Sequence, residues 1–274
     1  LSGLQQLYLH KNSLSGPLPS QLGLLTSLKD LMLNGNSIKG TIPQTFNSMA
    51  RLEAVHLYGN ALSGAIPSMS ELLNLEILLL GKNSLSGPIP SEMGLRSLKL
   101  LDLHNNLISG DIPTEFGSLI ALEWMDVSSN RLWNTIPSEL GRMVSLQWID
   151  LHSNALVGTL PTELALLSGT LWGLDIYRNR VSGQIPSELG LLQAIQYLTL
   201  GMNAFSGAIP TELAMLTSIL ELDISKSSSF LTGSIPTELE TLAELHELAK
   251  IDVSGNPLLT GAIPEGLCLL SYDQ

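Results

Sequence analysis

The chain has 274 residues, of which 14% are charged and 44% apolar, and its formal net charge is −12. That balance excludes a disordered chain, and the acidic excess argues against nucleic acid and anionic membrane surfaces, which are held by clustered Lys and Arg. The most apolar stretch, Glu71 to Leu80, is interrupted by Asn74 and Glu76, so no membrane-spanning segment of about 18 or more apolar residues is expected.

The chain opens on Leu1-Ser2-Gly3-Leu4, which reads as the end of one coil entering the strand of the next. It has no initiating Met, no signal peptide and no polar capping unit, so a processed or partial product with a missing N-terminal cap is expected. From Leu4 onward one unit recurs. Its clearest copy, Leu52 to Pro67, reads L-x-x-L-x-L-x-x-N-x-L-x-G-x-I-P, and the units close on Pro19, Pro43, Pro67, Pro90, Pro113, Pro137, Pro161, Pro186, Pro210, Pro236 and Pro264. The spacings are 24, 24, 23, 23, 24, 24, 25, 24, 26 and 28 residues. A leucine-rich period of this length marks a stacked solenoid. The expected fold is an α/β solenoid: a right-handed leucine-rich-repeat horseshoe of about eleven units, forming a single domain over 1–274. Its concave face is a parallel β-sheet, and short helical or 3-10 turns line its convex face.

Each recurring column has a physical reason. The alternating L-x-L is a short strand with one face buried and one wet. An Asn at the turn (Asn12, Asn36, Asn60, Asn83, Asn106, Asn130, Asn154, Asn179, Asn203, Asn256) offers donor and acceptor to turn backbone. The tenth unit lacks it and has Ser227 nearby. Gly16, Gly40, Gly64 and their equivalents supply positive φ, with Asn134 substituting in the sixth unit. Pro followed by Ser or Thr and Glu, as in Pro186-Ser187-Glu188, starts a helical turn that the hydroxyl is expected to cap. Insertions fall at Ser225 to Leu231, at Pro257-Leu258-Leu259 and between Glu240 and Lys250.

The x-L-x-G-x-I-P tail resembles the plant-type leucine-rich-repeat class found in receptor-like-kinase ectodomains and secreted inhibitors. The phrases IPSELGLL and IPTELAML are similar to repeats in secreted or membrane-tethered proteins of diatoms and related algae. The resemblance implies an extracellular location and a non-enzymatic binding role for the concave face, without a cofactor. It also makes Ile263 to Cys268 look like the entry to a cysteine-containing cap, with Cys268 a half-cystine; a free buried thiol is the other reading. None of the 15 Asn residues lies in an N-x-[ST] sequon. That departs from plant receptor ectodomains and leaves room for a structural subunit of a matrix, filament or larger complex.

Much of the acidity is repeated consensus. Glu92, Glu115, Glu139, Glu163, Glu188, Glu212 and Glu238 share the turn-start position, and Asp102, Asp126, Asp150, Asp175, Asp223 and Asp252 share the middle strand position. Neighbouring Asp side chains on adjacent strands are expected about 5 Å apart, close enough to raise their pKa values. One carboxylate per strand falls short of the six to eight oxygens calcium takes, so no metal is assigned. The scarce aromatics carry more information. Trp124, Trp148 and Tyr197 occupy the column before the second strand leucine, and Trp172 lies one position from it. With Asp126, Asp150, His104, His152, Tyr177 and Arg178 they form the candidate ligand-binding strip, fit for a protein, peptide or glycan. Tyr58, His56, Tyr8 and His10 continue it toward the N-terminus. No G-x-S-x-G, G-x-x-x-x-G-K-[ST] or H-E-x-x-H motif and no cysteine pair is present, and the five His residues lack ligand spacing, so catalysis is not expected.

Overall fold

The computed structural model describes residues 3–92, 95–227, 230–243, 245 and 248–267. Cys268 and His246 lie outside the described residues. The chain forms two compact units, Leu1–Trp133 and Asn134–Gln274.

In the first unit the L-x-L segments form parallel strands at Gln6–Tyr8, Asp30–Met32, Ala54–His56, Ile77–Leu79, Leu100–Asp102 and Trp124–Asp126. Their central residues align as Leu7, Leu31, Val55, Leu78, Leu101 and Met125, without a slip. In the second unit the strands Trp148–Asp150, Gly173–Asp175, Tyr197–Thr199, Glu221–Asp223 and Lys250–Asp252 align on Ile149, Leu174, Leu198, Leu222 and Ile251. The aligned aliphatics from Leu31 to Leu222 are buried to within 1%. Parallel strands three residues long are too short to persist alone, so this stacked burial is what holds them.

A second parallel ladder, absent from the sequence expectations, runs through the x-L-x-G segments. In the first unit it joins Ser15–Pro17, Ser37–Gly40, Ala61–Gly64, Ser84–Gly87 and Leu107–Gly110. In the second unit Ser182–Gln184 pairs with Ala204–Ser206, and Gly233–Ser234 with Leu259–Thr260. The glycines of these segments have φ between 76° and 90°, and Asn134 stands among them at 74°. The chain therefore bends at each one.

The turns after the prolines are 3-10, as at Thr114–Ser118, Ser138–Arg142, Ser187–Leu191 and Thr211–Met215. Here the expected hydroxyl cap is corrected. The cap residue is the proline itself, held extended (Pro113 at φ −63°, ψ 133°), and no side chain caps any of these turns. Proline's fixed φ already supplies the entry geometry, so Ser or Thr falls one position inside. There it faces the adjacent carboxylate, as in Thr211 Oγ1 to Glu212 Oε2 at 3.3 Å.

The Asn column performs the expected work across two coils at once. Asn203, 1% exposed, donates from Nδ2 to the carbonyls of Leu200 (2.9 Å) and Gly201 (3.2 Å) in its own coil and of Ile176 (2.9 Å) in the preceding one. Its Oδ1 accepts the Val181 N–H at 3.0 Å. Asn106 repeats the pattern with Leu103, His104, Leu80 and Leu85. In the tenth coil Ser227 occupies this position, fully buried, giving its N–H to Asn256 Oδ1 at 2.9 Å. Asn203→Ala leaves buried backbone groups on two coils without partners and is expected to cost about 2–4 kcal/mol in chemical denaturation. Asn12→Ala removes exposed bonds within one coil and should cost under about 1 kcal/mol.

Candidate functional site

The six Asp residues of the middle strand position share one structural task. Each Oδ1 accepts the backbone N–H two residues on: His104 on Asp102 (2.9 Å), Ser128 on Asp126 (3.0 Å), His152 on Asp150 (3.0 Å), Tyr177 on Asp175 (2.8 Å), Ser225 on Asp223 (2.8 Å) and Ser254 on Asp252 (3.0 Å). The carboxylate thus forms an Asx-type turn where the strand ends. The residues three positions after each Asp enter the left-handed region: Asn105, Ser129, Ser153, Arg178 and Lys226 at φ between 51° and 59°, and Gly255 at 71°. Arg178, expected in the strip, is one of these exposed turn residues.

Imidazoles join two of the turns. His104 Nδ1 lies 2.5 Å from Asp102 Oδ1 and 3.8 Å from Asp126 Oδ2, and His152 Nδ1 lies 2.6 Å from Asp150 Oδ1. Two sets, Asp102/His104/Asp126 and Asp150/His152/Asp175, hold one imidazole and two carboxylates with donor atoms within 4.8 Å of one another. In both sets these atoms are already engaged by turn N–H groups and by each other, which accounts for the clustering. At Asp175, burial pushes the carboxyl up to about 6 from an ordinary 3.8; the Tyr177 N–H pulls it down, and neighbouring Asp150 and Asp223 push it up. Asp223, 5% exposed, is met instead by Lys250, whose Nζ lies 2.9 Å from Glu221, 3.5 Å from Asp223 and 3.9 Å from Asp252.

Three of the four strip aromatics come together on the second unit. Trp148, Gly173 and Tyr197 are aligned partners on successive strands. Because Gly173 has no side chain, the Trp148 ring lies across it; a Cβ there would stand 1.8 Å from Trp148 Cε3. Trp172, one position off the column, packs against that ring. Its ring centroid is 4.8 Å from Trp148 and 6.2 Å from Tyr197, with Trp148 and Tyr197 at 6.1 Å, and the interplanar angles are 48°, 68° and 64°. Trp172 Nε1 faces Gln147 Oε1 at 3.4 Å. All three rings are half-buried. Trp124 stands in the same column of the first unit, paired with Leu100 and also half-buried. Farther along that unit Tyr8 and His10 meet edge-on at 6.4 Å, and the Tyr8 hydroxyl donates to Asp30 at 3.2 Å.

The fourth tryptophan, Trp133, is not among the expected site residues, yet it is 56% exposed. Its signal was available in the sequence. The same column before the turn glycine holds Ser15, Ser63, Ser86, Ser109, Ser182 and Ser206, with Lys39, Val157, Thr232 and Thr260 in other coils.

Family models described as leucine rich repeat match residues 96–156, 3–25 and 27–49. No curated protein matches the sequence. Among solved structures, a TDR receptor is similar at 32% identity and a TM-score of 0.90, over 98% of this chain and 46% of that one. The plant peptide hormone receptor RGFR1, in complex with RGF2, is similar at 34% and 0.86, over 91% and 40%. A plant ice-binding protein is similar at 28% and 0.73, over 93% and 83%. The chain is a leucine-rich-repeat protein of the plant-type class, and it spans less than half the length of the two receptor chains. No helix among its described residues is long and apolar enough to cross a membrane.

Two expectations follow. Gly173→Ala forces Trp148 aside at a cost of about 1–3 kcal/mol, and that cost should disappear in a Trp148→Ala background, read as a double-mutant cycle. The second concerns Asp175, whose carboxyl titrates higher in the fold than in the unfolded chain. Its charge therefore lowers stability fully above about pH 6 and not at all below about pH 4. Asp175→Asn keeps an acceptor for the Tyr177 N–H. It should raise stability at about pH 7–8 by up to about 3 kcal/mol, and the gain should vanish as pH falls through that window, measured as the thermal midpoint against pH.

Proposed function

We propose that this chain is an extracellular, non-enzymatic recognition module whose wet strand face grips an extended peptide or protein segment. Trp148, Trp172 and Tyr197 are the anchors on the second unit, flanked by Asp150, His152, Asp175, Tyr177 and Arg178. Trp124, Asp126 and His104 supply the corresponding columns of the first unit. One observation carries the reading: three half-buried rings are packed together on the strand face, at positions where the repeat does not require aromatics. Rigid aromatics of this kind supply large contact area at low entropic cost and dominate binding hot spots. The likeness to a peptide hormone receptor supports a peptide as the ligand class.

The likeness to an ice-binding protein favours this face less. A surface matched to a lattice is flat and regular, whereas these rings are inclined by 48° to 68° and the neighbouring carboxylates are tied into turns. Selection of a random peptide library against the chain tests the proposal. Selected peptides should lose at least about tenfold in affinity on the Trp148→Ala/Trp172→Ala double variant while its far-UV circular dichroism is unchanged. Affinity retained by a folded double variant overturns the reading, and points to assembly through edges as a structural subunit instead.

A further inference from the structure

Trp133 makes one wall of a surface groove on the first unit. The groove measures about 380 Å³ and is lined by Pro88, Ile89, Ile112, Pro113, Asp111 and Glu115 among others. Its floor is apolar: Ile89 and Ile112 are 4% and 2% exposed, and the lining adds the exposed Pro88, just before Ile89, and the buried Pro113, which closes the next coil. Gly110, at a φ of 90°, makes the bend that precedes Asp111. The exposed carboxylates of Asp111 and Glu115 lie in the lining, which contains no cation.

We propose that this groove is a docking site for a polyproline II segment of a partner that carries arginine or lysine beside its prolines. Prolyl rings seat against aromatic and prolyl walls, and a segment already extended loses little entropy on binding. A groove of this size is at the small end of binding pockets and suits a short stretch of chain. The two carboxylates decide the sign of the flanking charge. They also argue against a second copy of this chain, whose net charge is −12. The indole is more than half in water, in a column that six coils fill with serine, so the repeat itself does not call for it.

The test uses the full chain and a fluorescein-labelled, arginine-flanked oligoproline peptide, read by fluorescence anisotropy. Saturable binding is expected. It should be weakened at least about tenfold by Trp133→Ser, a residue that six coils already carry here. Asp111→Asn with Glu115→Gln should weaken binding and flatten its salt dependence, which gives a second reading that leaves the tryptophan in place. Trp148→Ala should leave binding unchanged, so the outcome is independent of the strand-face proposal. The inference is overturned by absence of saturable binding, by equal binding to Trp133→Ser, or by equal binding of a glutamate-flanked oligoproline or an arginine-flanked Gly/Ser peptide.

Discussion

The structure depends on a side-chain amide that, in most coils, is shared with the neighbouring coil. Asn203 and its equivalents satisfy turn carbonyls above and below and accept a backbone N–H in return. Each such residue fixes the axial register of two coils at a point where a slip would strand buried polar groups. With register fixed, leucines stack on leucines, and every wet position becomes a column. A functional surface in this molecule is therefore a matter of which columns depart from their usual residue.

The acidic column shows how such a surface can mislead. A row of carboxylates on adjacent strands suggests a cation, but its chemistry is local: each Asp closes the turn that follows it. The electrostatic cost falls unevenly. Where Lys250 reaches across three acids, even the buried Asp223 keeps an ion-pair partner. At Asp175, by contrast, burial and the neighbouring Asp150 and Asp223 raise the carboxyl to about 6. Similar consensus residues thus acquire different properties from their neighbours in adjoining columns.

Much of this was legible from the period alone. Fixed intervals between leucine, asparagine, glycine and proline define strand, turn, bend and coil entry, because each needs one residue type. The second ladder was not legible. Segments such as Ser15–Pro17 and Ser182–Gln184 carry no hydrophobic alternation and little strand propensity, and they pair because stacking holds them side by side. The uncapped 3-10 turns were missed for a related reason: Pro-Ser-Glu reads as a cap sequence until the proline is seen to occupy the cap position itself. The aromatic strip was visible, but not the role of Gly173, since an absent side chain gives no signal until its neighbour in the column is known.

Gly173 and Asn134 suggest how departures are accommodated in a repeat. Trp148 can lie flat because the next coil leaves its position empty, and Trp172 packs against the Trp148 ring. Trp133 stands beside Asn134, which keeps the φ of 74° that glycine provides in the other coils. In the first case a large ring is matched by a deletion one coil away, and its energy is recovered by packing within the molecule. In the second no matching deletion exists, the ring remains 56% exposed, and the neighbouring bend is held by a residue that tolerates positive φ less well. A ring packed by its own repeat has a structural reason to be there whether or not it also binds. A ring left more than half in water over an apolar floor, in a column that six coils fill with serine, gains less from its own repeat, which is why Trp133 points more sharply to a partner than the larger cluster does.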